Sequence, residues 1–171
     1  MSCEKYQTKT MNEFEALCLE LESLLEEWEP RLKSMPQDLI LTRRNSQDRN
    51  IKQIVGHMVD SASNNTHRIV HLQYRESPLR FPNYATQGNN DRWISIQDYE
   101  SADWNNLVNL WKYANLHITH VMRNVDLSKL KNQWYFDENT LISLREGIVD
   151  YLRHFKLHLD EITELENMDG F

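Results

Sequence analysis

Residues 143–162 read SLREGIVDYLRHFKLHLDEI, and the fold turns on how they are read. Leu144, Ile148, Tyr151, Leu152, Phe155, Leu159 and Ile162 recur at intervals of three and four, the stripe of an amphipathic helix. Ser143, followed three residues later by Glu146, has the form of a capping box and sets the helix start. His154 and His158 stand four residues apart. That spacing puts them on one helix face, about 6 Å apart along the axis.

Upstream, three further segments repeat the pattern. Phe14, Leu17, Cys18, Leu21, Leu24, Leu25 and Trp28 form the first stripe, limited by Pro36, with its glutamates on the solvated face. A second helix starts near Asn50, where Asn50 and Gln53 resemble a capping box, and runs to about Tyr74. Its stripe is Ile51, Ile54, Val55, Met58, Ala62, Ile69 and Leu72. A third starts near Ser101 and buries Leu107, Leu110, Trp111, Ala114, Ile118, Val121 and Val125. LILT, at 39–42, is too short to carry a sheet, and no other strand signal competes. The expected fold is all-α: one domain over residues 1–171, a four-helix bundle with a long connection between the second and third helices.

That connection, residues 77–100, is rich in Pro, Asn, Gln and aromatics. Its length marks it as functional or disordered. Phe81, Tyr84 and Trp93 argue for a packed segment able to roof a site.

Composition narrows the function. The chain has 171 residues and 40% hydrophobic content, enough for a core. Its net charge of −7, without a basic patch, argues against nucleic-acid binding. No apolar run approaches the roughly 20 residues of a membrane span. The polar N-terminus shows no signal peptide, and two cysteines make no disulfide framework, so a cytoplasmic protein is expected. Trp28 and Trp134, if exposed, would pack on a second copy and favour a homodimer; they fit a monomer core equally well.

Seven histidines produce several close pairs, so spacing alone selects no site. At about 100° per residue, His57 lies roughly 100° to one side of Met58, the centre of its stripe. His154 lies roughly 100° to the same side of Phe155, and His158 about 60°. All three sit at the margin of an apolar stripe, facing a cleft between helices. His71 falls nearly on the solvent side, whereas His117 stays a possible neighbour. Three imidazoles from two helices can hold one metal ion. Gly147, two turns before His154, opens space in that cleft. Asp60 or Asp150 could accept the second N–H of a ligand histidine, though both also read as ordinary helix-surface acids. Ser61 and Asn64 lie along the His57 edge. Tyr84, Gln87, Asp91 and Trp93 are candidates from the long connection.

The order of these motifs resembles the DinB superfamily, the DinB/YfiT-like metalloenzymes. The resemblance rests on GHMVD around His57, a long crossover, and HFKLH in the last helix. DWNNLVNLW, around Trp104 and Leu110, is also similar to the family's third helix. Arg49-Asn50-Ile51 departs from it, standing where many members carry Trp-Ser. The resemblance implies an up-down-down-up bundle in which His57, His154 and His158 hold one divalent metal ion. Imidazole suits zinc, nickel, copper and iron alike, with zinc or nickel the expected ion. The implied activity on a small-molecule substrate is that of a hydrolase or a thiol-dependent S-transferase, the latter with a small thiol as cofactor. The alternative is a non-catalytic metal-binding scaffold, its ion closed by a fourth ligand such as His117 or an acid. No catalytic base stands out.

Overall fold

The structure is a computed structural model that describes residues 12–168 apart from 83 and 87. Four long helices form the bundle: α1 (Glu15–Ser34), α3 (Ile51–Leu72), α5 (Trp104–Arg123) and α6 (Leu144–Asn167). Two short ones join them, α2 (Gln37–Thr42) and α4 (Asn89–Gln97). Around the bundle, α1 packs on α5, α5 on α3, and α3 on α6; α6 returns to α1.

The predicted stripes become the core. Cys18, Leu21, Leu25, Trp28 and Leu32 are the buried face of α1, and Ile148, Tyr151, Phe155, Leu159 and Ile162 that of α6. Each fully buried side chain of this size contributes about 1.5–3 kcal/mol, more than any per-residue helix propensity. The stripe therefore decides the fold. Trp111 of α5 stacks on Phe155 of α6, ring centroids 5.7 Å apart. Beside them the buried Tyr151 hydroxyl donates to Asn115 Oδ1 at 2.6 Å. Leu110 is the exception: it lies on the exposed side of α5.

Both capping boxes form. Gln53 N–H donates to Asn50 Oδ1 at 2.9 Å, and Asn50 N–H returns to Gln53 Oε1 at 3.0 Å. Ser143 and Glu146 do the same at the head of α6. Capping of α5 falls to Asp103, whose carboxylate accepts from Asn106 N–H, so that helix begins slightly later than Ser101.

Three features depart from the expected four helices and loops. LILT belongs to α2, where Ile40 turns into the core. The long connection contains α4, bounded by left-handed residues at Gly88 (φ 71°) and Asp98 (φ 46°). A two-stranded antiparallel hairpin precedes α6, with β1 (Gln133–Tyr135) pairing β2 (Leu141–Ser143) in the register Trp134↔Ile142. Leu79 bonds to both ends of β1, donating to Gln133 O and accepting from Tyr135 N–H, which ties the start of the long connection to the hairpin. Trp28 and Trp134 are 5% and 4% exposed, so both belong to the monomer's interior. Neither is free to pack on a second copy. Among the described residues, no helix is long and apolar enough to cross a membrane.

Candidate metal centre

Position 57 faces α6 from the second turn of α3, and positions 154 and 158 face α3 from α6. The bundle brings all three histidines together. Each offers a ring nitrogen within 4.8 Å of the others. Among the described residues, no fourth histidine, cysteine or acid joins the group. His154 Nε2 and His158 Nε2 lie 3.1 Å apart.

Each ring has its Nδ1 engaged by a different neighbour. Tyr84 Oη lies 2.5 Å from His57 Nδ1, and Ser61 Oγ is 3.5 Å from His154 Nδ1. Glu161 Oε2 lies 2.9 Å from His158 Nδ1. A carboxylate accepts, so His158 Nδ1 carries the proton and its Nε2 presents a lone pair. Tyr84 can direct its own hydrogen to the His57 carbonyl at 3.4 Å, leaving its oxygen to accept from His57 Nδ1–H. These contacts occupy the Nδ1 side of each ring and leave Nε2 for ligation, and the carboxylate fixes the tautomer of His158. Three imidazole nitrogens whose second nitrogens are engaged fit a divalent metal ion.

The electrostatics agree. Burial, then the neighbouring His158 and His154, pushes His57 down to about 2 from its ordinary 6.5. Burial, then His158, pushes His154 down to about 4. Both are neutral at pH 7, the form that binds metal. Burial raises the Glu161 carboxyl, but its hydrogen bonds with His158 and Asn45 outweigh it, and its pKa falls. It is the charged partner His158 requires. Burial holds the Tyr84 hydroxyl protonated.

His57 and His154 open on a cleft of about 520 Å³, between α3, α6, the hairpin and the Tyr84 segment. The Tyr84 ring stacks against His57 at 5.7 Å between centroids, and Trp93 of α4 packs edge-on to Tyr84 at 5.2 Å. The long connection thus covers the site, as its aromatics implied. Gly147 lines the cleft, and a Cβ there would meet nothing within 4 Å.

The remaining candidates divide. Ser61 and Tyr84 touch the histidines. Asp150 lines the cleft but spends one oxygen on Arg153 at 2.6 Å. Asp60 turns away toward α4, where Oδ1 accepts from Gln97 and from Tyr99, at 2.7 and 2.6 Å. Asn64 bonds the Asp60 carbonyl and faces a neighbouring cavity; Asn65 lines the cleft instead. Asp91 pairs with the buried Arg49 at 2.6 Å, pinning α4 beside the head of α3. His117 is exposed on α5, away from the three. Gln87 lies outside the described residues. Glu161 and Arg68 escaped the sequence reading. Glu161, three residues after His158, carried a positional signal; Arg68 carried none.

The bundle, with its three-imidazole cluster between the second and fourth long helices, has the fold of a solved four-helix bundle. The chain is similar to the solved structure of YfiT from Bacillus subtilis, described as a probable metal-dependent hydrolase with an unusual four-helix bundle topology. The two superpose with a TM-score of 0.73 at 22% identity, covering 92% of this chain and 90% of that one. No family model matches the sequence, and no curated protein matches it.

Proposed function

We propose that this chain is a metal-dependent hydrolase of a small molecule. It holds one divalent ion, zinc or nickel, through Nε2 of His57, His154 and His158. The observation that carries this is the convergence of three imidazoles, each with its Nδ1 already engaged. An ion held there supplies Lewis acidity and lowers the pKa of coordinated water toward about 7. The chain's own groups keep the ligands neutral and oriented. Tyr84 and Trp93 shield the face from bulk solvent, and the cleft admits a small substrate beside it. Asp150 stands at the rim as the candidate proton acceptor, one turn before His154.

A closed structural site needs a fourth protein ligand, and the cluster offers none among the described residues. This favours catalysis over a scaffold role. The same open face would also accept a thiolate, which is the S-transferase reading; dependence of turnover on an added small thiol separates the two.

Elemental analysis of purified protein is the test. About one divalent ion per chain is expected, lost in a His154→Ala/His158→Ala double variant that still folds. Wild type without metal, or a double variant that retains it, overturns the proposal.

A further inference from the structure

Three turns along α3 from His57, Arg68 lines the same cleft. It is 7% exposed, yet no carboxylate pairs with it among the described residues. Its contacts account for only part of the guanidinium. Nη1 donates to Asn65 Oδ1 at 3.2 Å, and the group lies over the Trp134 ring at 4.2 Å. Nη2 is buried without a hydrogen-bond partner. An uncompensated buried charge is strongly unfavourable, and guanidinium is built to bind carboxylate. The arrangement is preorganised: the aromatic face and Asn65 hold the group while one nitrogen stays free.

Hydrogen bonds connect this arginine to the metal centre. Asn65 Nδ2 donates to Ser61 Oγ at 3.3 Å, and Ser61 faces His154. Arg68 and Ser61 are seven residues apart, about 10 Å along the helix axis. Side chains on a helix lean toward its N-terminus, so Arg68 reaches back toward the histidines. Between them the wall is Trp134, Phe136 and Ile142. Glu146 and Asp150 at the rim disfavour a polyanion.

We infer that Arg68 is the substrate's anion anchor, and that the substrate is a small monocarboxylate with an apolar or aromatic body. The carboxylate sits on Arg68, the body lies against Trp134, and the reacting bond reaches the three histidines. This rests on the hydrolase reading for its reacting end and adds the substrate class.

The test is isothermal titration of zinc-loaded and of chelator-treated protein with benzoate and with its uncharged analogue benzamide. Benzoate is expected to bind at least tenfold more tightly than benzamide in both forms. Arg68→Gln, melting as wild type does, should abolish that preference. Equal affinities, binding of neither, or a preference that survives Arg68→Gln overturns the inference. So does a preference seen only with zinc present, since the carboxylate is then on the ion. Should Arg68→Gln not fold, the benzoate-to-benzamide ratio of the chelated wild type decides, a ratio near one being fatal. A protein that binds no metal but keeps an Arg68-dependent preference upholds the anchor and removes the metal reading.

Discussion

His57, His154 and His158 differ from the other four histidines in converging on one point while each Nδ1 has a neighbour; His71 has a neighbour on Nδ1 too, Tyr74 Oη at 2.5 Å, but does not join them. Glu161 matters most here, because a charged acceptor raises the basicity of the imidazole it orients. Glu161→Gln keeps the shape and removes the charge. It should weaken metal affinity about 10–100-fold, with Tm of the metal-free protein nearly unchanged. Competition with a fluorescent chelator measures the first and thermal melting the second; equal affinity in wild type and variant would remove Glu161 from the centre. Tyr84→Phe should act in the same direction by leaving His57 Nδ1 without its partner at 2.5 Å. The three histidines were legible because helical angle and chain order both selected them. Glu161 was not, since Asp160, Glu164 and Glu166 surround it and composition alone cannot tell a solvated acid from an orienting one. Arg68 was invisible for another reason. It is buried by Trp134, on a hairpin that lies 66 residues downstream.

At the scale of elements, two glycines separate packing from access. Gly56 sits on α3 against Tyr99, where an added Cβ would come within 2.2 Å of the ring. Gly56→Ala therefore pushes Tyr99 away from the Asp60 carboxylate it donates to at 2.6 Å. Overpacking of this kind costs about 1–3 kcal/mol, and urea unfolding should show it. Gly147, on α6, meets open space. Gly147→Ala should leave stability unchanged or raise it by up to about 1 kcal/mol through helix propensity alone. If both variants unfold at the wild-type urea midpoint, the close approach of Tyr99 to α3 is wrong. The four long helices, and the capping boxes of α3 and α6, were readable from periodicity and cap residues. The elements that were missed had little to read. Each strand spans three residues, and α4 buries only Ile94, so neither presents a period. Gly56 itself carried no sign of Tyr99, whose approach depends on where α4 ends.

At the scale of the whole molecule, the centre joins α3 to α6 with buried imidazoles that must stay neutral. In the metal-free protein this makes stability depend on pH in a window of its own. The folded pKa of His57 is lowered to about 2 and that of His154 to about 4, both from 6.5. Below pH 6.5 the unfolded chain takes up protons that the folded chain refuses. Stability therefore rises with pH up to about 6.5, is fully present above it, and falls as pH drops. For two such groups the loss between pH 8 and 5.5 is on the order of 2–3 kcal/mol. The carboxylates with lowered values, Glu22, Glu29, Asp126, Asp137, Glu146 and Glu161, begin to cost stability only as pH falls through their ordinary 3.8 to 4.5, below most of this window. Urea unfolding of chelator-treated protein at pH 8, 6.5 and 5.5 should show the decline, and a His57→Gln/His154→Gln variant should flatten it. Divalent metal should steepen the wild-type curve, because ligation needs the same neutral rings and adds stability only to the folded chain. A metal-free protein equally stable at pH 8 and 5.5, or a variant with the wild-type slope, would show that these imidazoles are not buried between α3 and α6.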